Sequence, residues 1–159
     1  MAQKLQSLRA LTVIPSDDAN VPFPATVTTG FNTSVTANSL VDSAATFITD
    51  GVTTGDIVYN TTSGLAATVV NVSSETTLTL NADIFLAFPE DFVIYTGNSN
   101  TGSHTPCVFF VGGAGNVNVV TEGGDTVLLK GLANGQFIPV SVTRILKTET
   151  DATYIVALW

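Results

Sequence analysis

Apolar and polar positions along this chain are spaced for strands. From Cys107 to Val120 it reads CVFFVGGAGNVNVV. A continuous apolar run, 108–111, breaks at Gly112-Gly113-Ala114-Gly115 and resumes as strict alternation through Asn116-Val117-Asn118-Val119. An unbroken apolar run of strand length, a glycine turn and period-two alternation predict two β-strands joined as a tight hairpin. The first should be buried on both faces and the second should keep one wet face. The same grammar continues to the C-terminus. Glu122-Gly123-Gly124-Asp125 is a turn, 126–130 a strand, Ala133-Asn134-Gly135-Gln136 a turn and 137–147 the longest candidate strand. Ile138, Val140 and Val142 share a face there, with Arg144 on it too, so a bulge intervenes or the guanidinium finds a carboxylate or the rim. Pro139 lacks an N–H and suits an edge or a bulge. The last segment, 154–159, is apolar on both faces, which predicts a strand that is buried or paired with a neighbour.

Upstream, Leu5, Leu8 and Leu11 recur every three residues, permitting one short amphipathic helix over 2–11 or an arm ordered by a neighbour. Residues 11–14 read as a strand ended by Pro15, and Pro22 and Pro24 keep the next stretch extended. In the middle, 56–59, 65–72, 75–80 and 92–95 read as strands, with 65–72 and 75–80 forming a hairpin through Ser73-Ser74. Residues 83–88 could hold a helical turn. Short strands at this spacing indicate an antiparallel barrel or sandwich.

Charge divides the chain. No Lys or Arg occurs from Ala25 to Pro106, where seven acids give −7, while the flanks hold all five basic residues against six acids. Gly, Ser, Thr and Asn crowd both edges of the acidic stretch, at 26–34 and 96–104, as in flexible connections. The expected organisation is a parent β-domain from residues 1–25 and 105–159, with an inserted acidic β-domain at 26–104 projecting outward. The fold class is all-β: an antiparallel β-sandwich or barrel built from both chain ends, carrying a small inserted antiparallel β-barrel or sandwich module. With 159 residues the chain can bury roughly 70% of its unfolded surface, so a true core is available. Charged residues make up only 11% against 45% hydrophobic, which suggests surface covered by other chains. A net charge of −8 argues against nucleic acid as partner. No apolar run approaches the roughly 18 residues that would span a membrane, and the N-terminus lacks a signal-peptide core.

Candidate chemistry is sparse. The one histidine, His104, lies in a linker-like segment without a neighbouring Cys or carboxylate. A serine nucleophile would need a base oriented by a third group. Cys107, the one cysteine, sits in an apolar strand and reads as a buried inert thiol. Gly112–Gly115 lacks the third glycine of a dinucleotide loop, since Asn118 stands there. Asp17-Asp18 and Glu90-Asp91 lack calcium-loop spacing and read as solvated turn acids. No sequence feature selects two of the thirteen carboxylates as a glycosidase pair. Sequons at Asn32, Asn60 and Asn71 read as chance. No catalytic, cofactor or metal site is expected.

The two ends joined across the insertion carry Pro15-Ser16-Asp17, Val111 to Val117 (VGGAGNV), Gly123 to Val127 (GGDTV), Phe137 to Val140 (FIPV), Arg144, and Ile155 to Trp159 (IVALW). In that order they resemble the head spike base family of tailed phages and gene transfer agents. The resemblance covers roughly the first 22 and last 52 residues. The insertion, around Phe47 to Val58, is more loosely similar to β-modules of other phage structural proteins. The resemblance implies a non-enzymatic virion component on the outer surface of a capsid head, a spike base or decoration protein. Its implied partners are copies of itself (a pentamer first, a trimer second), the major capsid protein and a spike fibre. A trimeric cement protein or a tail or baseplate component is the alternative. A carbohydrate-binding module, using Tyr59, Phe88, Phe92 and Tyr95 as platforms, stands third. The candidate interface residues are Leu5, Leu8, Arg9, Leu11, Arg144, Tyr154, Val156, Leu158 and Trp159.

Overall fold

A computed structural model describes residues 7–97 and 106–159. It is all-β, and the described residues hold no helix. The strands are β1 (Ala10–Thr12), β2 (Thr26–Phe31), β3 (Ser39–Val41), β4 (Ile57–Asn60), β5 (Leu65–Ser74), β6 (Thr77–Leu80), β7 (Asp91–Tyr95), β8 (Cys107–Gly113), β9 (Gly115–Thr121), β10 (Thr126–Leu132), β11 (Gln136–Ile145) and β12 (Thr153–Leu158). They form two units, Met1–Asp17 with Thr105–Trp159 (unit 1) and Asp18–His104 (unit 2). The first boundary thus falls between Asp17 and Asp18, where the sequence reading drew it after residue 25. Unit 2 holds eight of the thirteen acids and none of the five basic residues, a balance of −8. Unit 1 sets five acids against all five basic residues and is neutral.

Unit 2 is a six-stranded sheet in the order β2-β7-β4-β5-β6-β3. Its edges meet: an isolated bridge joins Ser34, just past β2, to Val41 of β3, and the Thr33 N–H donates to the Val41 carbonyl at 2.7 Å. The closed sheet surrounds Phe47, Phe85, Phe92, Leu40, Leu78 and Ile94, all 0–2% exposed. The Phe92 ring lies 6.0 Å from Phe47 and 6.4 Å from Phe85, the latter edge-on. The expected hairpin is present as β5 and β6, turning at Glu75-Thr76 rather than at Ser73-Ser74. Leu78 and Leu80 point inward, as alternation demands.

Buried polar side chains fix the connections of unit 2. Asn32 is fully buried; its amide donates to the carbonyls of Ala87 and Ser34, and its oxygen accepts the Glu90 N–H at 2.7 Å. Asn60, also fully buried, caps the turn after β4 by accepting from the Thr62 and Ser63 N–H groups. It donates to Ile84, so the 83–88 segment is pinned as a loop and the helical turn is absent. Two of the three sequon asparagines are therefore structural. Glu90 is buried and accepts from the Ala87 N–H, so it is not a solvated turn acid. Residues 26–31, read as a joint, are a strand along β7. Of the exit joint, Thr96 bonds Ala25, and residues 98–104, His104 included, lie outside the described residues.

Unit 1 is a six-stranded sheet in the order β1-β12-β8-β11-β9-β10. Its first correction concerns β8 and β9. They follow one another through Ala114 alone, yet they are not paired; β11 lies between them. Residues 136–138 of β11 pair with β8, and residues 142–145 pair with β9. Register shifts between Ile138 and Val142, and again before Arg144, let one strand serve both neighbours. These irregularities bend the sheet, whose inner face carries Phe109, Val111, Val117, Val142, Ile145 and Ile155. Pro139 sits exposed in the first of them. The glycines are therefore a corner rather than a hairpin turn. The helix over 2–11 is corrected too. From residue 8 the chain is extended, with Leu8 and Arg9 N–H groups donating to the Trp159 carbonyl. Pairing with β12 satisfies this backbone better than an isolated helix of two or three turns could. Asn118 is likewise not on a wet face: residues 146–150 cover it, with Thr150, Thr148 and Leu146 among its partners.

Phe92→Ala should cost unit 2 about 3–5 kcal/mol in urea unfolding, whereas Phe88→Ala, on an exposed loop, should stay within about 0.5 kcal/mol.

Candidate functional site

The sequence candidates separate into two groups. Tyr154, Val156 and Leu158 lie on one face of β12 and join an apolar surface. The register sets Val156 opposite Phe110, Leu158 opposite Val108, and Phe137 opposite Phe110. Opposed residues of an antiparallel pair project to the same face. The other face of these strands carries Phe109, Val111, Ile138, Ile155 and Ala157, all buried in the core. Val108, Phe110, Val156 and Leu158 are only half-buried, and Phe137 is 40% exposed. The β8 run is thus covered on one face, correcting the expectation of burial on both.

Tyr154 stands out on this surface. It is 78% exposed and has φ +54°, a left-handed conformation that is strained for an aromatic residue. Gly112 makes room for it: a Cβ at that position would lie 2.7 Å from the Tyr154 Cβ. A glycine of the corner motif thereby serves to present a ring to solvent.

The other candidates are placed differently. Leu11 lies opposite the buried Ala157, and Arg9 and Trp159 exchange backbone bonds that tie the N-terminal segment to β12. Leu8 is exposed. Arg144 donates to the Asp17 carbonyl at 2.7 Å, so a bulge intervenes and the guanidinium braces unit 1 internally. Leu5 lies outside the described residues. Val108, Phe110 and Phe137 were missed as surface residues. The signal was available, since a strand apolar on both faces has either two cores or one core and one interface.

The polar chemistry is structural. Cys107 is buried, donates toward the Val142 carbonyl at 3.6 Å, and burial pushes its thiol up to about 12. Of the proposed platform aromatics, Tyr59 and Phe92 are core. Tyr95 packs edge-on to Tyr59 at 5.3 Å, and burial raises its hydroxyl pKa. Phe88 alone is exposed. Compared with known proteins, the chain matches no family model, no curated protein and no solved structure.

Asp17 clamps residues 16–17 to the loop after β11. Its carboxylate accepts the Thr148 N–H at 3.0 Å and the Thr148 hydroxyl at 2.8 Å. The Thr148 N–H, chiefly, holds its pKa below the usual carboxylate range, against an opposing desolvation. A depressed folded pKa stabilises above the unfolded value, about 3.9, and the effect fades as pH falls through the folded pKa. Asp17→Asn should therefore melt below wild type at pH 7, and the two melting temperatures should converge below about pH 3.9. Calorimetry across that range checks it.

Proposed function

We propose that this chain is a structural protein that works by assembly: a capsid-bound head spike base or decoration protein on the outer surface of a phage-like particle. The carrying observation is the outer face of β12, β8 and β11, where six apolar side chains on the side opposite the core remain half-buried or exposed among the described residues. Such a face on a neutral unit fits contact with copies of itself and with a protein shell. Tyr154 fits the role of an anchor, a large ring held at low conformational cost. The motif order shared with spike bases supports the location, with a vertex pentamer favoured over a trimer at threefold positions. The major capsid protein is the shell partner, and a fibre would mount on the assembly. Unit 2, acidic and closed upon itself, supplies solubility and a separate surface.

The second reading, a trimeric cement or a tail or baseplate component, differs only in position and symmetry, which cryo-electron microscopy of the particle distinguishes. Native mass spectrometry of the purified protein should give one closed oligomer. Phe110→Glu with Val156→Lys should weaken its self-association at least tenfold, shifting the mass toward the monomer, with an unchanged far-ultraviolet spectrum. A folded wild-type monomer at micromolar concentration would contradict the proposal. Truncation after Ala152 is no substitute, because Ile155 and Ala157 belong to the core.

A further inference from the structure

Strand β10 ends the unit 1 sheet, and its outer edge has no strand partner among the described residues. The alternation of backbone direction shows which groups that edge presents. The Asp125 carbonyl accepts from the Thr121 N–H and the Gly131 N–H donates to the Asn116 side chain, so odd-numbered residues of β10 face β9. The N–H and C=O groups of Thr126, Leu128 and Lys130 therefore point away from the sheet. The strand is not blunted by a proline, and its irregularity, with Gly131 at φ +67°, comes only after Leu129.

The core is also unfinished here. Val127 lies opposite Val119 and Leu129 opposite Val117, so all four project to the inner face. Val117 and Val119 are 0–1% exposed, whereas Val127 is 41% exposed. The sheet thus stops one strand short of covering its own inward-facing residues.

We infer that the β10 edge pairs antiparallel with β10 of a second copy across a twofold axis centred on Leu128. That register uses every outward backbone group: Leu128 faces itself, and Thr126 of each copy faces Lys130 of the other. It brings Val127 of one copy against Leu129 of the other on the inner face, extending the core. It also sets each Lys130 opposite Thr126, at the end of the opposing strand that carries Asp125, so no like charges face one another across the seam. The competing head-to-tail arrangement, β10 against β1 of the next copy with the sheet continuing antiparallel, would set Lys130 beside Arg9, like against like. Charge thus favours a second copy in the twofold arrangement.

Cysteine scanning along β10 tests this in the full chain, because buried Cys107 stays out of thiol chemistry. Across a hydrogen-bonded pair, Cα atoms lie about 5.5 Å apart, within disulfide range. Leu128→Cys should give a disulfide-linked dimer as the main band under mild oxidation. Thr126→Cys and Lys130→Cys should not, since each would sit four residues, about 13 Å, along the strand from its copy. Leu128→Pro, which removes an outward N–H and spares the β9 side, should halve the native mass with the melting temperature of unit 2 unchanged. Equal crosslinking at all three positions, or none at 128, overturns the pairing. The inference stands apart from the shell reading: a ring of five or three copies has no twofold axis, so the β10 pair joins copies of two different rings. The Phe110/Val156 variant tests the outer face, and Leu128→Cys should still crosslink in it.

Discussion

A strand buried in a sheet needs hydrogen-bonding partners along both edges, and this constraint separates the two halves of the chain. Unit 2 meets it internally. Its sheet returns on itself where Thr33 and Ser34 meet Val41, so its two end strands are tied together around an enclosed core. Unit 1 does not close. One strand, β11, is divided between two neighbours, and the sheet ends on β10 with the inward-facing Val127 only partly covered. An open edge and an apolar outer face on one neutral unit are liabilities for a solitary protein and assets for an assembling one.

Charge follows the same division. All of the net −8 resides in the closed unit, which has no basic residue. Self-repulsion there opposes unspecific association, whereas the neutral unit carries no such net repulsion. Inside each unit, buried polar side chains organise the loops. Asn32 and Asn60 hold loops of unit 2 by several bonds each to backbone, and Asn118 and Asp17 hold the loop that follows β11 through Thr148.

Much of this was legible in the sequence. Alternation and apolar runs placed nearly all the longer strands, and the charge break falls near the division between the two units. What failed was pairing. Gly112–Gly115 looked like a hairpin turn because β8 and β9 are adjacent in sequence, but the strand between them comes from residues 136–145, and no local pattern announces a partner so distant. Residues 26–31 looked like linker because Thr and Gly serve exposed strands as well as loops. The Leu8-Leu11 spacing looked helical because terminal pairing with Trp159 is invisible locally. Of the apolar outer face, the β12 residues were readable from their two-faced apolarity. Val108 and Phe110 carried the same signal, which was taken to mean a second buried face.

Trp159, the single tryptophan, reports on unit 1 from the end of β12. The most direct measurement is thermal unfolding followed by its fluorescence over a hundredfold range of protein concentration, beside the circular-dichroism transition of unit 2. If unit 1 is completed by other copies, its midpoint rises with concentration while that of unit 2 stays fixed. A Trp159 transition that does not move with concentration would contradict the account.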